Sequence, residues 1–181
     1  APPRAGNKRN NAMRKRLTGL ALAFLLLAGP ESAPAFAQDQ GWRTYANPRF
    51  GTTADYPSQI FSRREPPPTN GDGQAFTSTD GSARLSIYGS FNSTDDTPRS
   101  YVDNYVRPEG PLAYENITGN FFAASGVRGD RIHYLRCNFG RGNPGIIHCF
   151  AIEYPAREKQ RWDAIVTRIS ASLRAGPGIE R

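Results

Sequence analysis

The chain has 181 residues, with 38% hydrophobic and 11% aromatic side chains, 23 Lys+Arg against 16 Asp+Glu, and a formal charge of +7. This supports one domain with a real core and excludes fibrous, collagen-like and wholly disordered classes. Residues 1–37 hold six of the basic residues (Arg4, Lys8, Arg9, Arg14, Lys15 and Arg16) and one acid, Glu31, which leaves 17 basic and 15 acidic residues over 38–181. The remainder is nearly neutral, so no nucleic-acid partner is expected.

Residues 13–37 read as a secretory signal peptide. Arg14, Lys15 and Arg16 give a positive start, residues 17–28 an apolar run, and Ala35-Phe36-Ala37 a small-x-small cleavage site. The run is far short of the roughly 20 residues a membrane-spanning helix needs. Residues 1–12, before Met13, read as an upstream extension. The expectation is export to the periplasm or beyond, cleavage after Ala37, one α+β domain over 38–174, a flexible tail over 175–181, and no membrane span in the mature chain.

From there the signals alternate between strand and turn. Residues 44–46 and 50–56 are strand candidates, the second with a period of two through Phe50, Thr52, Ala54 and Tyr56. Residues 57–73 read as a long loop, stiffened by Pro66-Pro67-Pro68 and turned by Asn70-Gly71-Asp72-Gly73. Residues 74–79 and 83–91 flank Asp80-Gly81, a hairpin turn that sets Phe76 opposite Leu85. Thr97 before Pro98 predicts a capped helix with a face of Tyr101, Val102, Tyr105 and Val106, ending before Pro108. Strands are expected at 113–118 and 121–127, with a two-residue turn at Gly129-Asp130. Pro155 opens a last helix with a stripe of Trp162, Ile165, Val166, Ile169 and Leu173, and Gly176-Pro177-Gly178 ends the ordered chain. The sum is α+β: an antiparallel sheet of about 6–8 strands packed by two helices.

Residues 132–139 and 146–154 are apolar, β-rich runs around Gly-Arg-Gly-Asn-Pro-Gly. A hairpin centred on Asn143 pairs each residue i with 286 − i, so Cys137 faces Cys149 and His133 faces Glu153. In an oxidising compartment, facing cysteines predict a cross-strand disulfide; two free buried thiols or a metal pair are the competing readings. With two histidines in the chain and no carboxylate at ligand spacing, the metal reading is the poorest.

Two stretches carry a family resemblance. Tyr45-Ala46-Asn47-Pro48-Arg49-Phe50-Gly51 with Ala54-Asp55-Tyr56-Pro57, and Glu153-Tyr154-Pro155 leading to Ser170-Ala171-Ser172-Leu173-Arg174, resemble the start and end of the PsbP-like superfamily. More closely, the chain is similar to small exported alphaproteobacterial proteins of unassigned function. The resemblance covers most of residues 42–174. It implies a central antiparallel sheet with helices on its faces, and accessory, binding or assembly roles rather than an activity. The calcium and chloride sites of photosynthetic members do not carry over, because no matching ligand motif is present.

No nucleophile elbow, zinc-protease, P-loop or dinucleotide motif occurs, and no cofactor or metal is expected. His133 and Glu153 are the candidate site residues. They would form a general base if they lie in a concave pocket with a shifted pKa, and a solvated surface pair if they lie on a flat face. The main expectation is a non-catalytic binding or accessory domain for an unknown protein or envelope ligand. A small hydrolase-like enzyme around His133 and Glu153 is the alternative. A small-ligand carrier is a third reading, which requires an open apolar cavity.

Overall fold

The computed structural model describes residues 41–142 and 145–176; the expected leader, the upstream extension and the tail beyond residue 176 lie outside them. The strands are β1 (Trp42–Ala46), β2 (Thr52–Pro57), β3 (Arg63–Arg64), β4 (Gly73–Thr77), β5 (Arg84–Phe91), β6 (Tyr114–Ile117), β7 (Phe121–Arg128), β8 (Arg131–Phe139), β9 (Ile146–Pro155) and β10 (Arg174–Ala175). Seven form one antiparallel sheet in the order β3-β4-β5-β9-β8-β7-β6, and β1-β2-β10 form a separate three-stranded sheet. The fold is α+β, with two helices packed on opposite faces of the large sheet.

Local turn chemistry sets most of the registers. Phe76 pairs with Leu85, although the connection there spans residues 78–83 and is tightened by Ser78 and Ser82 hydroxyls on the Asp80 carboxylate. The Gly129-Asp130 turn joins β7 to β8 directly, with Gly129 at φ +59°. In β8 and β9 every pair sums to 286, including Cys137↔Cys149 and His133↔Glu153.

One face of the large sheet carries Leu85, Ile87, Phe150, Ile152 and Tyr154, and packs against Ala54 of the small sheet and against α2 (Lys159–Ser172). The small sheet sits close: a Cβ on Gly89 would meet the Phe50 Cβ and Thr52 Oγ1 at 2.5 Å. Thr52 also reaches the buried His148 ring at 2.8 Å. The opposite face carries Phe122, Cys137, Ile147 and Cys149, covered by Val102 and Val106 of the first helical segment. Cys137 and Cys149 are joined there, with Sγ atoms 2.09 Å apart.

Several elements depart from local expectation. The loop over 57–73 contains β3, held to β4 through Arg63↔Thr77 and Arg64↔Phe76; a two-residue strand is defined by its partner rather than its own pattern. Thr97 caps α1 (Pro98–Tyr101), but the helix widens into a π-helical turn over Val102–Val106 and a 3-10 turn over Arg107–Glu109, so it passes through Pro108 instead of stopping before it. A 3-10 turn accepts that proline because it sits in a first turn, where a missing N–H costs nothing. Pro155 ends β9, and α2 begins only at Lys159, after a 3-10 turn. Ala175, expected in the flexible tail, pairs with Thr52 in the small sheet. Of the expected α2 stripe, Trp162, Val166, Ile169 and Leu173 are buried, while Ile165 is only partly so.

This burial grades the stripe energetically. Ile169→Ala should lower unfolding free energy by about 2–5 kcal/mol, the range for a large-to-small change in a closed core. Ile165→Ala should cost clearly less. Urea denaturation of the two variants checks the order, and equal losses would contradict the packing of α2.

Candidate functional site

The registers align residues into rows across the helix-covered disulfide face. Tyr88, Cys149, Cys137 and Phe122 form one row. Ser86, Ala151, Leu135 and Ala124 form the next, and Arg84, Glu153, His133 and Gly126 the one after. The first row is bulky and carries the helical cover. The second is mostly small, so the sheet falls away from its cover there.

The result is a cavity of about 280 Å³, floored by the small row and roofed by Tyr105, Val106 and the chain at 109–112. This is near the lower end of volumes that hold small ligands, about 300–1,000 Å³. Two glycines shape the roof. Gly110, at φ +141°, ends the 3-10 turn and reverses the chain, a backbone region open to glycine but strained for other residues. Gly126 lets that returning chain approach the sheet, since a Cβ there would stand 2.4 Å from the Pro111 carbonyl oxygen.

His133 and Glu153 lie in this concavity, not on a flat face, with His133 Nδ1 3.5 Å from Glu153 Oε2. Burial holds the imidazole below its ordinary value, the Arg128 and Arg131 guanidiniums push the same way, and Glu153 opposes them. Glu153 also takes Arg131 Nη2 at 3.6 Å, while that arginine donates to the Ser82 carbonyl at 2.8 Å. At the rim, Arg128 pairs with Glu109 at 3.4 Å. At the back of the cavity, burial pushes the Tyr88 phenol well above its usual value, so it stays neutral.

Chemically, this is an apolar slot with a polar edge. A hydrolytic centre needs a nucleophile aligned with the base, but the polar partner of His133 is Glu153 and both cysteines are bonded to each other. Among the described residues no group of three or more His, Cys, Asp or Glu is placed to hold a metal ion. A wider groove of about 600 Å³ runs beside α2, where Lys159 pairs with Asp163 at 2.8 Å and Arg136 donates to the Ser170 hydroxyl at 3.0 Å.

Sequence reasoning placed the His133–Glu153 pair but missed Arg84, Tyr88, Tyr105, Arg128 and Gly126. Gly126 was within reach, because the two-residue Gly129-Asp130 turn by itself sets Gly126 beside His133. Arg84 was not, because the β5–β9 pairing that brings it to Glu153 is long-range and has no turn of its own.

The close approach at Gly126 is testable. Gly126→Ala should destabilise the protein by about 1–3 kcal/mol, as overpacking does, despite alanine's better strand propensity. Chemical denaturation measures it; a neutral or stabilising result would mean that the 109–112 segment is not held against the sheet.

No protein-family model matches the chain. No curated protein matches it either. Among solved structures, it is similar to the solution structure of cyanobacterial PsbP (CyanoP) from Synechocystis, at 14% identity and a TM-score of 0.52, covering 81% of this chain and 99% of that one. It also matches the crystal structure of the Saccharomyces cerevisiae Ran-binding protein Mog1p, at 9% identity and a TM-score of 0.48, over 77% and 98% of the two chains. Among the described residues no helix is long and apolar enough to cross a membrane. With two helices on a large antiparallel sheet and near-complete overlap with CyanoP, this chain has a PsbP-like fold.

Proposed function

We propose that this protein is an exported, non-catalytic binding or accessory domain of the bacterial cell envelope, and that it works through the cavity on the disulfide face. The observation that carries the reading is the make-up of that cavity: an apolar slot with a charged edge and, among the described residues, no hydroxyl or thiol hydrogen-bonded to His133. Export rests on residues 13–37 and on the paired cysteines, which suit an oxidising compartment. A PsbP-like scaffold is compatible with an accessory role but carries no activity with it.

A hydrolase-like enzyme is the second reading, favoured by one observation: His133 sits in a concave site with a lowered pKa beside a carboxylate. Two measurements separate the readings. Mass analysis of the protein from a periplasmic fraction should find an N-terminus at or within a few residues of Gln38, and a cytoplasmic form that retains Met13 would contradict export. Hydrolysis of p-nitrophenyl acetate should be unsaturable and equal in wild type and His133→Gln. Saturable turnover that His133→Gln abolishes at unchanged melting temperature would establish the enzyme instead.

A further inference from the structure

We propose that the cavity binds a small aromatic carboxylate, with the ring over Ser86, Ala151 and Ala124 and the carboxylate received by Arg84 at the charged edge. This rests on the binding reading and names its ligand class. The floor is Ser86, Ala151 and Ala124 with Leu135 among them, the walls are Tyr88, Val106 and Leu112, and charge enters along the Arg84–Glu153–His133 row and from the Arg128–Glu109 pair at the rim. A site built this way selects a molecule that is apolar along its body and polar at one end. The space lies between the sheet floor and the Tyr105–Leu112 cover, with the rings of Tyr88 and Tyr105 in its lining, and aromatic walls suit an aromatic ring.

The charge of the polar end follows from which groups are already satisfied. Glu109 is paired with Arg128, and Glu153 with Arg131 and His133. Arg84 lines the same cavity, directly across from Glu153 in the register, and makes no ion pair among the described residues. The unspent charge at the edge is therefore positive. A guanidinium presents a planar fork of donors that matches a carboxylate in two hydrogen bonds. A cationic ligand would have to break an existing pair, whereas an anionic one breaks none.

Isothermal titration calorimetry on the full chain tests this with two probes of nearly identical shape, indole-3-acetate and the neutral alcohol tryptophol. Indole-3-acetate should bind saturably at one site, and tryptophol at least about tenfold more weakly, the loss expected when a charged hydrogen bond is removed. Arg84→Gln, at an exposed position, should weaken indole-3-acetate by a similar factor while leaving tryptophol affinity and melting temperature unchanged. Equal affinities for the two probes, or an Arg84→Gln variant that binds indole-3-acetate normally, overturns the carboxylate assignment. Absence of saturable indole-3-acetate binding at millimolar concentration overturns the proposal outright. Neither result touches the non-catalytic reading, which stands or falls on the turnover assay.

Discussion

The pairing of β8 with β9 is the constraint on which the rest of this structure depends. Its register puts Cys137 against Cys149 and, four residues along the same strands, His133 against Glu153. Both pairs lie on one face of the sheet because strand side chains alternate with a period of two. A slip of one residue would put Cys137 and Cys149 on opposite faces, separate His133 from Glu153 in the same way, and carry Ile152 and Tyr154 out of the α2 core. Burial on both faces and a covalent bond across the hairpin oppose that slip together.

From this register the cavity follows as a consequence of side-chain size. The disulfide row is bulky enough to seat Val102 and Val106, so the cover is anchored there. One row further on, Leu135 still packs against that cluster, but Ser86, Ala151 and Ala124 beside it are too short to fill the space under the cover, and the π-helical and 3-10 turns carry it past without closing the gap. Beyond that, Gly126 brings the cover back down to the sheet. The hollow lies between two places where cover and sheet are held together, and the polar row opens along its edge.

Much of this was legible in the sequence wherever a connection was short. The Asp80-Gly81 and Gly129-Asp130 turns each fix a hairpin and its register from local chemistry, the β8–β9 register follows the expected 286 sum, and Thr97-Pro98 fixes a helix start. What was not legible depends on distant partners. The β5–β9 pairing closes the sheet centre and brings Arg84 to Glu153. Residues 174–175 become a strand only because β2 has a free edge to offer, and no local pattern announces the widening of the first helix at Val102–Val106. The candidate pair was placed correctly while its concave setting was not, because concavity comes from the row of small residues beside it.

The row of Ser86, Ala151 and Ala124 leaves open space instead of a filled core, and Ala151 sits at its middle, lining the cavity. Measuring the unfolding free energy of Ala151→Leu by urea denaturation tests it most directly. A leucine that enters an existing hollow should leave stability unchanged or raise it. A loss of about 1–3 kcal/mol, the usual cost of forcing extra methylenes into a packed interior, would show that the space is already filled and would contradict the account.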